Sequence, residues 1–252
     1  ALEVADGSAR EALDGMRVLG ISGLSVTMPH KAAVAALVDR CVDDAAALGA
    51  VNCVVVEEGQ LVGYNTDGGG FLDGLAHDSG MDVTGRRVVV LGAGGAARAV
   101  VQALAGAGAS EVVVANRTVA RAEEAAAMAG SVGRAVELSL GHSDGRLEGA
   151  LVDALGGAEL VVNATSVGMA GVSLDGLPVD PELVGAGAVA VDLIYHPAET
   201  AWMAALRARG MEAYGGLSML VFQAARAFTL WTGVEAPVVA MYAAAQAVLA
   251  SR

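Results

Sequence analysis

The stretch from Arg87 to Arg98, Arg-Val-Val-Val-Leu-Gly-Ala-Gly-Gly-Ala-Ala-Arg, has residue types at a spacing that suits the binding of a pyrophosphate. Val88 to Leu91 are apolar, as a buried parallel strand requires. Gly92 permits a sharp turn, Gly94 lets backbone approach a ligand, and the small Ala97 lets a helix pack close to the strand. Gly95 and Ala96 open that helix, whose free N–H groups would face the phosphates. The next strand-like run, Glu111 to Ala115, ends in Asn116-Arg117-Thr118, with Arg121 one helical turn on. An acidic residue here would accept from the ribose hydroxyls of NAD. Two arginines instead suit a 2′-phosphate and favour NADP.

Two earlier stretches carry groups that could act on a second ligand. In Met28-Pro29-His30-Lys31, Pro29 fits the first position of a helix running to about Asp39, which puts Lys31 in the first turn. A cation there is mildly disfavoured by the helix dipole, so Lys31 is either a surface lysine or a proton donor that needs a partner. In Asn65-Thr66-Asp67-Gly68-Gly69-Gly70 the three polar residues are all good N-caps for a helix from about Phe71 to Asp78. The three glycines suggest more than a cap, because they would let a ligand or another backbone come close.

These groups need elements to hold them. A short helix is expected over Ser8 to Leu13 and a strand over Gly23 to Thr27. Cys41 to Ala47 reads as helical, and Val51 to Val56 with Leu61 to Tyr64 read as a hairpin across Glu57-Glu58-Gly59-Gln60. The polar break from His77 to Arg86 marks a domain boundary near Asp82 to Gly85. Strands over Glu159 to Val162 and Ala188 to Val191 end in Asn163-Ala164-Thr165-Ser166 and in Asp192-Leu193-Ile194-Tyr195, the strand ends where open α/β sheets bind ligands. Ala170 to Gly187 reads as loop, Thr200 to Arg209 as helix and Met211 to Tyr214 as a last short strand. Helices over Leu217 to Trp231 and Pro237 to Leu249 close the chain, the first presenting Gln223 from an apolar segment.

At 252 residues the chain suits two ordinary domains or one large one. A net charge of −13 argues against a nucleic-acid or anionic-membrane partner, so any phosphate site must be local. The two cysteines, Cys41 and Cys53, form no disulfide framework and no metal-ligand spacing, and no apolar run is long enough to span a bilayer. A reduced cytoplasmic protein is expected.

Taken together, Gly23-x-x-Val26-Thr27-x-Pro29-x-Lys31, Gly49-Ala50-Val51-Asn52, Asn65-Thr66-Asp67-Gly68, Gly92-Ala93-Gly94-Gly95-Ala96, Asn116-Arg117-Thr118, Asn163-Ala164-Thr165-Ser166 and Gly216-x-x-Met219-Leu220-x-x-Gln223-Ala224 resemble, in order and spacing, the shikimate dehydrogenase family. The resemblance implies a two-domain α/β fold. A mixed-sheet substrate domain, residues 1–82 completed by the C-terminal helices of 216–252, would face a Rossmann NADP-binding domain of residues 83–215. It also implies reduction of 3-dehydroshikimate to shikimate with NADPH in aromatic amino-acid biosynthesis. Quinate/shikimate and aminoshikimate dehydrogenases are related alternatives, and a non-catalytic NADP- or shikimate-binding module is an alternative of another class.

By the same resemblance Lys31 and Asp67 form the catalytic pair, because reduction of a ketone requires a proton donor at its oxygen. The helix dipole and desolvation work against the ammonium of Lys31, while Asp67 favours and orients it. Thr27, Asn52, Asp67 and Gln223 are implied to bind the ring hydroxyls, with Tyr195 lining the site. Gly92, Gly94, Gly95, Ala96, Asn116, Arg117, Thr118, Arg121 and Thr165 are implied to hold NADP, with Gly216 and Met219 at its nicotinamide end. No metal is implied, and a homodimer is the candidate assembly. Family members begin with a strand and a Ser-x-Ser segment that binds the substrate carboxylate. No such pair precedes Gly23, so either roughly three or four dozen residues lie upstream of Ala1, which is the expectation, or the chain is a variant with a different carboxylate site. The family often has Asp where this chain has Gly215.

Overall fold

The computed structural model describes residues 1–138, 146–171 and 176–250. Helix α1 (Ala9–Val18) buries Ala9, Leu13 and Met16, which recur at helical spacing. Strand β1 (Gly23–Ser25) leads to the short helix α2 (Lys31–Ala35), strand β2 (Arg40–Cys41) and helix α3 (Asp43–Leu48). Strands β3 (Cys53–Glu57) and β4 (Gln60–Tyr64) form the expected hairpin. Its two loop residues, Glu58 and Gly59, both have positive φ, the twist that matches flanking strands. These four strands make one mixed sheet in the order β1-β3-β4-β2, antiparallel except for the β2/β4 pair.

Helix α4 (Asp67–Ser79) then carries the chain to strand β5 (Arg87–Leu91), helix α5 (Gly95–Gly106), strand β6 (Glu111–Asn116), helix α6 (Val119–Ala126) and strand β7 (Gly133–Glu137). Helix α7 (Arg146–Gly157), strands β8 (Leu160–Asn163) and β9 (Val189–Asp192), helix α8 (Ala201–Ala208) and strand β10 (Ala213–Tyr214) follow. The last elements are α9 (Leu217–Thr232) and α10 (Val238–Ala250). The six strands from β5 to β10 form a parallel sheet in the order β10-β9-β8-β5-β6-β7. Successive strands run outward from β5 in one direction and from β8 in the other. The crevice between β5 and β8 is therefore the topological switch point, where a doubly wound sheet binds ligand.

Val88, Val90, Val112 and Val114 bury one face of this sheet under α5 and α6, and Val89, Leu91, Val113 and Val161 bury the other with α7 and α8. Strands covered on both faces explain the unbroken valine runs in the sequence. The smaller sheet packs Leu13, Met16, Val34 and Leu61 on one side. On its other side Cys53 and Val55 meet Ala227 and Trp231 of α9. Gly23 is glycine because a Cβ there would run into the Trp231 ring, whose Nε1 donates to the Val54 carbonyl at 3.0 Å.

Several local readings change. Helix α4 starts at Asp67 rather than Phe71, so Gly68, Gly69 and Gly70 lie inside its first turns. They do admit a close neighbour, and that neighbour is protein. A Cβ on Gly68 would stand 2.7 Å from the Ala99 carbonyl oxygen of α5, and one on Gly70 would stand 2.5 Å from the Gln223 nitrogen of α9. Helix α4 thus binds the two sheets together through backbone-close packing. Pro29 precedes α2 on a cis Met28–Pro29 bond, and that helix ends at Ala35. Helix α7 and strand β7 have no counterpart among the expected elements; β7 is an edge strand carrying Arg134 and Glu137 and lacks an apolar run. The expected loop Ala170 to Gly187 holds a short 3₁₀ turn at Pro181–Leu183, and its residues 172–175 lie outside the described ones.

Candidate active site

The carboxyl end of β5 opens into the first of two adjoining clefts. Gly92 takes φ of +100°, a conformation that favours glycine, and a Cβ there would lie 2.9 Å from the Ala164 carbonyl oxygen. Gly94 and Gly95 have open space where side chains would stand, so the amino end of α5 is bare backbone facing a cleft of about 440 Å³. Asn116 and Arg117 from the end of β6 line the same cleft with Thr165 and Ser166 from the end of β8. Arg117, Thr118 and Arg121 are exposed, and among the described residues neither guanidinium has an ion-pair partner. Backbone N–H groups at a helix start, space left by glycine and uncommitted cations fit a phosphorylated dinucleotide.

The second cleft, about 350 Å³, is bounded by the smaller sheet on one side and by Ala96, Leu193, Tyr195 and Gly216 on the other. Lys31, at the start of α2, donates from Nζ to Asp67 Oδ2 at 2.6 Å. Asp67 begins α4 and is almost fully buried, whereas the Lys31 side chain keeps a quarter of its surface. The other Asp67 oxygen accepts from Asn52 Nδ2 at 2.8 Å, and its backbone N–H donates to Asn65 Oδ1 at 3.0 Å. Asn52 also donates to Thr66 Oγ1 and accepts from the Thr66 N–H, at 2.9 and 2.8 Å. Both carboxylate oxygens are thus occupied. One of three ammonium protons is committed and two remain for a ligand.

Thr27, Tyr195, Gly216, Met219 and Gln223 line this same cleft. Gln223 donates from Nε2 to the Leu220 carbonyl at 2.9 Å and lies 3.5 Å from Asn52 Nδ2. A Cβ on Gly216 would collide with the Leu193 carbonyl, so α9 starts as close to the β9 loop as backbone allows. The structure therefore gathers the expected site residues at the two clefts except Gly95, at the start of α5, and Thr118 and Arg121, on the β6–α6 turn and the first turn of α6. It also adds Ser25, Ser166, Leu193 and Leu220. Ser25 and Ser166 stand inside motifs already singled out, but local spacing carries no sign that they border a cleft.

Comparison with known proteins agrees with this geometry. The family described as shikimate dehydrogenase substrate binding domain matches residues 1–54, shikimate / quinate 5-dehydrogenase matches 74–170, and shikimate 5'-dehydrogenase C-terminal domain matches 216–246. A shikimate dehydrogenase (NADP(+)) from Moorella thermoacetica is 46% identical over 243 residues, covering 96% of this chain and 80% of that one. The chain belongs to the shikimate dehydrogenase family.

Among solved relatives, shikimate 5-dehydrogenase from Thermus thermophilus in complex with NADP(H) and shikimate is 36% identical with a TM-score of 0.83, covering 98% of this chain and 86% of that one. The 5-ketofructose reductase of Gluconobacter is 31% identical with a TM-score of 0.85 over 98% of this chain and 86% of that one. Proteins named for two different activities thus share this backbone.

Proposed function

We propose that this chain interconverts 3-dehydroshikimate and shikimate with NADP(H), in aromatic amino-acid biosynthesis. The observation that carries the reading is the Lys31–Asp67 pair at 2.6 Å, in a cleft whose opposite wall includes Ala96 of the dinucleotide turn. NADPH, when bound, supplies a hydride to the carbonyl carbon of the substrate. Lys31 gives a proton to the oxygen on which negative charge develops and takes it back in the reverse direction. Asp67 aims that amine, and Asn52 and Asn65 keep Asp67 in place. Thr27, Asn52, Asp67 and Gln223 bind the ring hydroxyls, and Tyr195 closes one side.

Gly92, Gly94, Gly95 and Ala96 take the pyrophosphate, and Asn116, Arg117, Thr118 and Arg121 take the 2′-phosphorylated ribose. Thr165 supports the cofactor, with Gly216 and Met219 at its nicotinamide end. Residues 1–82 with 216–252 form the substrate domain and 83–215 the cofactor domain; the mixed sheet within the first set and the parallel sheet within the second support this division. Free Cys41 and Cys53 support a reducing, cytoplasmic setting.

The test measures NADP+ reduction with shikimate and with quinate for the wild type and for Lys31→Ala, with NADP+ binding followed separately. Lys31→Ala is expected to lose about 10²- to 10⁴-fold in kcat while binding NADP+ as before. Unchanged kcat would remove Lys31 from the chemistry. A wild-type chain that binds NADP+ yet turns over neither alcohol would favour a binding module.

A further inference from the structure

Asp192 ends β9 with no exposed surface and, among the described residues, no cation beside it. Burial pushes its carboxyl above the usual range, against hydrogen bonds from Thr200, Ile194 and Asn163 that pull it down. Its Oδ1 accepts from Asn163 Nδ2 at 3.0 Å and from the Ile194 N–H at 3.1 Å, and its Oδ2 accepts from Thr200 Oγ1 at 2.8 Å. A buried carboxylate without an ion partner weakens a fold, so its value has to lie in what those donors hold.

What they hold is both clefts. Asn163 is the register partner of Asp192 across the β8/β9 ladder and is equally buried. An ionised carboxylate only accepts, so the Asn163 amide must turn its NH₂ toward Asp192 and its oxygen away. That oxygen accepts from both the backbone N–H and the hydroxyl of Thr165, at 3.0 and 2.7 Å. With its proton committed, the Thr165 hydroxyl accepts from the Val167 N–H at 3.2 Å, which fixes the loop lining the dinucleotide cleft. On the other side, Ile194 precedes Tyr195, and its carbonyl accepts from the Gly216 N–H at 2.9 Å.

We propose that Asp192 is a positioning residue that sets the Asn163 amide, and through it the Thr165 loop, in the orientation the cofactor requires, while tethering the Ile194–Tyr195 segment of the second cleft. The inference rests on the reading of the first cleft as the NADP site. It turns on an acceptor facing Asn163, and the substitutions can separate that from bulk.

Asp192→Leu keeps the branched shape, with added bulk, but removes the acceptor, freeing the amide to flip; Asp192→Asn can still present an oxygen to Asn163 and Ile194. By calorimetric titration, Asp192→Leu is expected to weaken NADP+ binding about tenfold or more, and Asp192→Asn to restore it to within about threefold of wild type. Asn163→Asp faces one carboxylate with another, so the pair keeps a shared proton at low pH and loses it as pH rises. The ratio of its NADP+ Kd to that of the wild type should therefore climb with pH, a trend that loss of packing would not produce. This second variant decides the matter if Asp192→Leu does not fold. Binding by Asp192→Leu within twofold of wild type, no recovery in Asp192→Asn, or a pH-independent ratio for Asn163→Asp overturns the inference. A wild-type chain that binds no NADP+ overturns the functional reading, and this inference with it.

Discussion

Adjacent glycines in α4 should respond unequally to the same substitution. Alanine at Gly70 would place its Cβ 2.5 Å from the Gln223 nitrogen and 2.7 Å from the Gln223 Cα, both α9 backbone or Cα atoms that no rotamer change can move. Ordinary contact is ~3.5–4 Å, so α4 and α9 would have to part by roughly 1 Å. Overpacking of this kind costs ~1–3 kcal/mol, against a helix-propensity gain of at most ~1 kcal/mol for alanine over glycine. The net loss of up to ~2 kcal/mol corresponds to a fall of up to about 8 °C in Tm for a protein of this size.

At Gly69 the same Cβ would meet Arg226 at Cζ and Nη1, both at 2.5 Å, but these are the far end of a flexible, half-exposed side chain. Arg226 can swing aside at the cost of its exposed pairing with Asp73, worth ~0–1 kcal/mol, which the propensity gain offsets. Gly69→Ala is therefore expected to melt within about 2 °C of wild type. Gly70→Ala should also lose kcat/KM beyond its unfolded fraction, because Gln223 lines the substrate cleft. Calorimetric melting with steady-state assays checks both. If Gly70→Ala proves as stable as Gly69→Ala, or more stable than wild type, close α4/α9 packing is not the reason for the glycines.

The double variant Arg117→Gln/Arg121→Gln is expected to raise KM for NADP+ about 100-fold or more while moving KM for NAD+ by less than threefold, since each charge-assisted bond to a phosphate is worth ~1.5–3 kcal/mol. Equal losses with both dinucleotides would remove the two arginines from 2′-phosphate recognition. Burial pushes the Cys53 thiol up to about 12 from an ordinary 9.0, with a bond involving Trp231 opposing the rise. The unfolded thiol ionises first as pH rises, so the folded chain holds more protons between those values and loses stability there. Melting temperature should fall less steeply between about pH 9 and 12 in Cys53→Ala than in wild type; parallel slopes would refute the assignment.

Much of the cofactor half was legible because its signals are local. A buried parallel strand needs an apolar run, a tight turn beside a phosphate needs glycine, and a helix start supplies N–H groups; each is written within a dozen residues around Gly92. The same holds for the Glu58-Gly59 hairpin and the arginines that follow β6. The order of the seven motifs pointed to the family without any contact being known. Elements with weaker patterns, such as the polar edge strand β7, left no such mark.

Tertiary structure decided what lies between distant residues. Lys31 alone reads more readily as a surface lysine, and Asp67 equally well as a helix cap. Thirty-six positions apart, they meet at 2.6 Å because the β3–β4 hairpin and α4 return the chain to the amino end of α2. The glycine triplet announced a close neighbour without saying that it was α9 and α5. Asp192 and Asn163 were only two polar strand ends until the β8/β9 register set them side by side. Periodicity and turn chemistry are properties of neighbouring residues and survive in the one-dimensional text. Sheet order, helix approach and the direction of a buried amide depend on pairings across the chain, which no single stretch of sequence contains.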